Sequence, residues 1–318
     1  MRLLAAPDKF RGTLTALEAA AAIAAGAERA GWAAEELPLA DGGEGTLDVS
    51  GGGNRLTTVT GPLGDPVEAV WRLEEDGLAL IEAAQACGLT LAGGPERNDP
   101  LRATSRGVGE LIAAAVAEGA ERIIVFVGGV ASTDGGVGAT EAVPHPLRVP
   151  LDVACDVDAR FLEAADVFAP QKGATPEQVE ILRDRLAKLV VPDLAGAGAA
   201  GGLAGGLAAI GARLLPGFDL VAARLGLDER LLEADLVVTG EGSVDATSFT
   251  GKVVGRVLER AHAAGTEALV LAGEVAANSP IDAISLVARY GPERALTEPA
   301  DCLTELVATT LAARRSGS

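Results

Sequence analysis

The chain is poor in the residues that build zinc sites, disulfide frameworks and cationic surfaces. It has three cysteines and two histidines in 318 residues, and Cys87, Cys155 and Cys302 have neither disulfide-framework nor metal spacing. Lys and Arg together number 26 against 45 Asp and Glu, which gives a formal charge of −19. Because nucleic acids and anionic membranes both require a cationic face, this composition argues against either as a partner.

Long apolar runs and the pattern of a secretory leader are also missing. The sequence reaches Pro7 and Asp8 too soon for a signal peptide, and no apolar run has the length of a bilayer span. We therefore expect a cytoplasmic protein that acts on a small molecule, and the sequence leaves a homodimer open. Since 48% of the residues are apolar, the chain can bury a large core, and its length favours two domains.

Strand and helix patterns alternate at both ends of the chain. Residues 2–6 and 37–40 have the character of buried strands, and a capping box at Thr15 begins the helix between them. From about residue 51 the pattern changes to a small antiparallel meander, and the strand–helix alternation returns near residue 234. The sequence predicts an α/β fold in two domains. These are a discontinuous Rossmann-like doubly wound domain at 1–55 and 231–318, and an inserted mixed α/β domain at 56–230.

Three stretches combine glycines with acidic residues directly after a strand of buried character. They are 41–46 with Asp41 and Glu44, 128–136 with Asp134, and 239–245 with Glu241 and Asp245. Glycines let backbone amides approach a phosphate, and carboxylates hold a divalent cation. However, Asp-Gly is also a common plain turn, and glutamate in the first turn of a helix is favourable without any metal. A metal or phosphate role and a structural role therefore both stay open for each stretch.

Two other motifs point less clearly to a nucleotide. The segment 196–201 matches the G-x-G-x-x-G dinucleotide fingerprint, but no clear strand leads into it, so a packing role is favoured. The segment 250–252 is similar to the end of a P-loop, yet Ala246 stands where the earlier glycine belongs, which disfavours a Walker-type NTPase. Lys252 begins a predicted helix and is either a phosphate ligand or a solvated lysine.

Taken in order, the motifs of this chain resemble those of the type 1 glycerate kinase family, which includes the bacterial glycerate 2-kinases. The similar segments are 6–16, 40–46, 61–64, 104–112, 128–136, 155–158, 170–174, 196–202, 239–242 and 251–252, so the resemblance runs nearly end to end. It implies ATP- and Mg²⁺-dependent phosphorylation of D-glycerate, commonly to 2-phosphoglycerate. It also implies a Rossmann-like domain with an inserted α/β domain.

Phosphoryl transfer needs positioned substrates, neutralised phosphate oxygens and an acceptor for the hydroxyl proton. We therefore predict three groups of site residues. The metal group is Asp41, Glu44 and Glu241; the substrate or phosphate group is Asp8, Lys9, Arg11, Gly42, Gly43, Ser132 and Lys172; the catalytic group is Asp134, Asp245 and Lys252. Asp134 is the first candidate for the base and Asp245 the second. We expect Asp41 and Glu44 to come from the Rossmann-like domain and Asp134 from the inserted one.

Several positions depart from the pattern of the family. Lys9 and Arg11 stand where relatives usually carry Ser and Lys, Ser243 replaces a usual arginine, and Thr247 a usual glutamine. The connector at 143–150 is also shorter than in typical members. These departures keep two alternatives open, a kinase for another small hydroxy acid and a catalytically silent relative that binds the metabolite. The sequence does not decide between the 2- and 3-phosphorylated products.

Overall fold

The computed structural model describes residues 1–10, 12–245 and 252–316. Its strands are β1 (Arg2–Ala5), β2 (Ala33–Glu36), β3 (Arg55–Thr60), β4 (Pro66–Leu73), β5 (Leu78–Glu82), β6 (Arg122–Phe126), β7 (Leu151–Ala154), β8 (Arg213–Leu215), β9 (Leu236–Val244), β10 (Glu267–Val275) and β11 (Ala283–Ser285). Its α-helices are α1 (Ala16–Arg29), α2 (Thr46–Val49), α3 (Ala84–Cys87), α4 (Arg106–Ala117), α5 (Val137–Ala142), α6 (Ala164–Phe168), α7 (Pro176–Leu186), α8 (Leu203–Ala209), α9 (Gly217–Leu225), α10 (Leu227–Glu233), α11 (Val253–Ala264), α12 (Leu286–Tyr290), α13 (Pro292–Thr297) and α14 (Pro299–Ser316). Short 3₁₀ helices lie at Phe161–Glu163, Pro170–Lys172 and Ala199–Gly202.

The chain forms two compact units. The first, here the split domain, consists of Met1–Asp41 and Phe218–Ser318, and the second, here the inserted domain, is Gly42–Gly217. The chain therefore changes units after Asp41 and after Gly217, whereas the sequence suggested changes after residues 55 and 230. The earlier changes have a packing reason. Amides of the 42–47 segment donate to a buried side chain at the end of β5, and α9 and α10 contribute to the core beneath β1 and β9.

The split domain is built on a five-stranded sheet in the order β11-β10-β9-β1-β2, in which every neighbouring pair is parallel. Side chains of a strand alternate between the two faces. Leu3 and Ala5 accordingly pack with α1 and α14 on one face, while Leu4 and Ala6 pack with α9, α10 and α11 on the other. Helices on both faces of a parallel sheet confirm the predicted doubly wound fold class.

The inserted domain has a mixed six-stranded sheet in the order β3-β4-β5-β6-β7-β8. The pairs β3/β4 and β4/β5 are antiparallel, which confirms the predicted meander. The pairs from β5 to β8 are parallel. Trp71, Ile81, Leu111 and Val125 are fully buried in its core. The parallel half places the carboxyl ends of β5, β6 and β7 side by side, and the residues that follow them form one edge.

Two local predictions were wrong. The second strand lies at Ala33–Glu36 and not at 37–40, although the following segment stays attached because Leu37 N donates to Ala5 O at 2.8 Å. The third acidic stretch, 239–245, is not a turn. Strand β9 continues through it to Val244, since it pairs with β10 as far as Val244↔Val275. Long-range strand pairing thus overrides the turn character of the glycines at 240 and 242.

None of the helices in the described residues has both the length and the apolar character to cross a membrane.

Candidate active site

Three predicted acidic residues lie at the carboxyl edge of the split-domain sheet. Asp8 follows β1, Asp41 follows β2 and Glu241 lies in β9, and these three strands are neighbours in the sheet. Asp8 N donates to Gly240 O at 2.9 Å, and Lys9 N donates to Asp8 Oδ1 at 2.7 Å. Strand β1 therefore delivers a carboxylate to the place where ligands bind in doubly wound folds.

Burial and neighbouring negative charge make the Asp8 carboxyl unusual. Burial is the main cause that raises the pKa of Asp8, and the negative charges of Asp41 and Glu241 raise it further. The backbone hydrogen bond from Lys9 and the positive charge of Lys9 lower this pKa. The resulting pKa is about 7, against an ordinary 3.8. Such a concentration of carboxylates is a place where a bound cation would relieve repulsion.

The residues at this edge fit a magnesium ion that keeps part of its own shell. In the described residues no group of three or more His, Cys, Asp or Glu side chains is arranged to hold a metal ion, so they form no closed protein cage. Mg²⁺ commonly binds through one or two carboxylates together with waters and substrate phosphates. Thr239 lies two residues before Glu241, hence on the same face of β9. Its buried Oγ1 has no hydrogen-bond partner within the described part of the chain.

Residues 42–46 of the first acidic stretch form a turn that packs on the inserted domain. A Cβ added at Gly128 would lie 2.5 Å from Gly43 Cα, so the two glycine segments pack backbone to backbone. A Cβ added at Gly129 would lie 3.8 Å from Glu44 Oε2. The Glu44 side chain therefore lies beside the turn that follows β6. The chain leaves the split domain after Asp41, so Asp41 and Glu44 belong to different units, contrary to expectation.

The turn itself is held by Glu82, a residue that was not predicted from the sequence. Glu82 ends β5 and is 2% exposed. Gly45 N lies 3.2 Å from each carboxylate oxygen, and Leu47 N donates to Oε2 at 3.1 Å. Burial raises the pKa of Glu82, and these two backbone hydrogen bonds oppose the shift. An acidic residue that closes the otherwise apolar run 78–81 was the available signal, because such a residue needs a partner when buried.

Asp134 lies in the turn before α5, two residues ahead of its N-cap Gly136, and accepts several hydrogen bonds. Ser105 donates to Asp134 Oδ2 from N at 2.9 Å and from Oγ at 2.8 Å, and Gly138 N donates to the same oxygen at 3.2 Å. Gly136 N donates to Oδ1 at 3.1 Å. The carboxylate therefore joins the 128–136 turn to the start of α4. Ser105 is the second residue that the sequence analysis did not single out, since it is 29 residues away in the chain.

Lys172, predicted as a substrate or phosphate residue, is buried in the inserted domain. It is 4% exposed, and its Nζ donates to Ser132 O at 2.6 Å. Burial lowers the pKa of Lys172 to about 8. A Cβ at Gly201 would lie 2.3 Å from Ser132 O and 2.9 Å from Lys172 Nζ, so the glycine-rich segment closes over this contact. The predicted packing role of 196–201 explains that arrangement, and Lys172 holds the backbone of the 128–136 turn.

Three further predicted residues lie in the split domain. Asp245 directly follows β9, and Lys252 is the residue before α11. Lys9 joins Asp8 at the edge of the split-domain sheet. Arg11 lies outside the described residues, as does Thr247. The structure thus brings together Asp8, Lys9, Asp41 and Glu241 in the split domain. In the inserted domain it places Gly43 and Glu44 beside Gly128 and Gly129, and it joins Ser132 to Lys172.

A doubly wound parallel domain with an inserted mixed α/β domain, and with charged side chains at the carboxyl edges of both sheets, is the architecture of an α/β enzyme that binds small molecules. Comparison with known proteins specifies the enzyme. The model of the glycerate kinase family matches residues 3–148 and 141–309. The glycerate kinase of Haemophilus influenzae is 38% identical, with 86% of both chains covered. The glycerate 2-kinase of Escherichia coli is 36% identical over 82% of this chain and 83% of its own.

A solved structure agrees over the full length. The crystal structure of a putative glycerate kinase 2 from Salmonella typhimurium superposes with a TM-score of 0.82 at 34% identity, covering 100% of this chain and 99% of the other. The chain belongs to the glycerate kinase family, and its enzyme class is that of phosphotransferases with an alcohol group as acceptor.

Proposed function

We propose that the protein transfers the γ-phosphoryl group of ATP to D-glycerate in the presence of Mg²⁺ and that the product is 2-phosphoglycerate. The observation that carries the proposal is membership of the glycerate kinase family over nearly the whole chain. The carboxylates gathered at the edge of the split-domain sheet provide the chemistry that the reaction needs. The name of the E. coli relative, a glycerate 2-kinase, supports the 2-position.

The metal and phosphate roles follow from the charges of the site. Asp41 and Glu241 would hold Mg²⁺ from the split domain, and Glu44 is the third proposed ligand. The ion supplies charge neutralisation on the phosphate oxygens when bound. Lys9 and Lys252 carry the positive charge expected to meet phosphate or the glycerate carboxylate, and Arg11 is proposed for the same role. Asp8 would orient the substrate beside them.

The proton acceptor is proposed to be Asp134, with Asp245 as the second candidate. The hydrogen bonds from Ser105, Gly136 and Gly138 supply a competing structural role, because a carboxylate has about four acceptor positions and most are already used. Asp134→Asn and Ser105→Ala separate the two roles. If Asp134 is the base, Asp134→Asn should lower kcat by about 10²–10⁴-fold and change the melting temperature little. A structural role predicts that both variants lower the melting temperature and that kcat follows stability.

The experiment that tests the function is an assay of purified protein with ATP, Mg²⁺ and a panel of small hydroxy acids, followed by NMR of the phosphorylated product. We expect D-glycerate to be preferred and the 2-hydroxyl to carry the phosphate. Strong preference for another hydroxy acid would replace the proposed substrate. Ser243, exposed on β9 in place of a usual arginine, is the observation that favours this alternative. Binding of glycerate with no turnover under saturating ATP and Mg²⁺ would contradict the proposed function altogether.

A further inference from the structure

We infer that Glu82 is a positioning residue whose buried carboxylate fixes the 42–46 turn. In this position the turn offers the Glu44 side chain to a cation. The turn does not bind a phosphate through the amides of Gly45 and Leu47, because Glu82 already occupies them. This inference rests on the proposed function for the identity of the cation. It goes beyond that function because it assigns a role to a residue outside the predicted site.

The first step is that the Glu82 carboxylate is committed to this turn. It is 2% exposed, and the hydrogen bonds it accepts in the described residues come from backbone amides, Gly45 N at 3.2 Å to each oxygen and Leu47 N at 3.1 Å. No ion pair to Glu82 occurs within 1–10, 12–245 and 252–316. A buried carboxylate is costly unless hydrogen-bonded, so removing it would leave the turn without its acceptor.

The backbone of the turn has the geometry of an anion site. Gly45 adopts a left-handed conformation with φ of +93° directly before α2, and successive amides in such a turn form a nest that attracts anions. Here the anion is internal, because Glu82 occupies the amides on both sides of Thr46. A phosphate at the same amides would have to displace a buried carboxylate and would meet its negative charge. The turn is therefore closed as a phosphate site.

The turn presents the Glu44 side chain. Glu44 precedes the occupied amides, and its Oε2 lies 3.8 Å from the position of a Cβ on Gly129. The tight approach of Gly128 to Gly43, with a Cβ only 2.5 Å from Gly43 Cα, holds the other end of the turn. Gly128 therefore anchors the turn before Glu44, and Glu82 anchors it after Glu44. Loss of the Glu82 carboxylate would remove one of these two contacts, so the direction of the Glu44 side chain depends on it.

The test compares Glu82→Gln with Glu110→Gln. Glu110 lies in the same domain and also accepts a backbone hydrogen bond, from Thr60 N at 2.7 Å, but it holds a different segment. The readouts are amide hydrogen exchange of peptides covering 42–50, the Mg²⁺ concentration that gives half-maximal activity, and the KM for glycerate. Glu82→Asp, which keeps the charge but is one methylene shorter, is measured alongside in case the glutamine variant does not fold.

We expect Glu82→Gln to speed exchange in 42–50 by about tenfold, the effect of losing roughly one hydrogen bond to a charged acceptor. We also expect the required Mg²⁺ concentration to rise several-fold while the KM for glycerate stays within about twofold. Glu110→Gln should change neither the exchange in 42–50 nor the required Mg²⁺ concentration.

Unchanged exchange in 42–50 would overturn the inference. Faster exchange with unchanged Mg²⁺ dependence, or a change confined to the KM for glycerate, would overturn the link to a cation. If the wild-type protein showed no kinase activity, the proposed function would fail, while the exchange data would still report whether Glu82 holds the turn.

Discussion

Replacement of Asp8 by asparagine is expected to make the protein more stable at neutral and alkaline pH. The buried carboxyl has a pKa raised from 3.8 to about 7, so above pH 7 the folded protein carries a desolvated charge close to Asp41. Asparagine has the same shape, is neutral, and can still accept the 2.7 Å hydrogen bond from Lys9 N. The exchange therefore removes the unfavourable charge and keeps the local geometry.

The sign and magnitude follow from proton linkage. Between pH 3.8 and about 7 the folded protein binds the Asp8 proton and the unfolded chain does not, so the free energy of unfolding falls as pH rises through this window. The shift from 3.8 to about 7 corresponds to an upper limit of about 4 kcal/mol, at 1.36 kcal/mol for each pKa unit. With relaxation of the site, we expect a gain of about 1–3 kcal/mol for Asp8→Asn above pH 7.

The assay is denaturant unfolding of the wild-type protein and Asp8→Asn between pH 4 and 8.5, without divalent cations. The advantage of the variant should grow from pH 4 to 7 and then stay constant. Asp235→Asn is the matched control, because Asp235 also accepts a backbone N–H, from Arg2 at 2.7 Å, but it is exposed at the opposite end of the same sheet. Equal gains at pH 4.5 and 8, or a loss of stability at pH 8, would refute the reasoning.

Three further predictions concern other parts of the molecule. Gly45→Ala, with φ of +93° and nothing near the added Cβ, should lose about 1–2 kcal/mol of unfolding free energy. Gly42→Ala should lose more, because its Cβ would lie 2.9 Å from Gly217 Cα; equal losses in urea would contradict this. The free energy of unfolding of the wild type relative to Lys172→Met should rise between pH 8 and 10. Burial lowers the Lys172 pKa to about 8, so in this range the unfolded chain binds more protons than the folded protein. A pH-independent difference in melting temperature would exclude this prediction. Thr175→Ala should cost about 1 kcal/mol in urea, because the cap on α7 is lost; an unchanged midpoint would contradict that prediction.

Features that depend on short stretches of chain were predictable. The capping box predicted at Thr15 is present with its partner Glu18, because a helix start involves residues only three apart. Thr175 and Gln178 form the same arrangement at the start of α7. The parallel alternation of the split domain and the antiparallel meander of the inserted domain also follow from the periodicity of apolar residues. That periodicity determined the fold class, and the ordered motifs indicated the family.

Only the tertiary structure decided which partners the acidic residues have. Glu82 meets Gly45 across 37 residues of sequence and Asp134 meets Ser105 across 29, and neither pairing leaves a local pattern. The same holds for 239–245, where pairing with β10 turns an apparent glycine turn into strand. The stretch 41–46 shows the division best. Its glycines and carboxylates marked it as a site from sequence. The structure assigns Asp41 and Glu44 to different units, and Glu82 occupies the amides of Gly45 and Leu47, because hydrogen bonding of buried groups is satisfied by the whole fold.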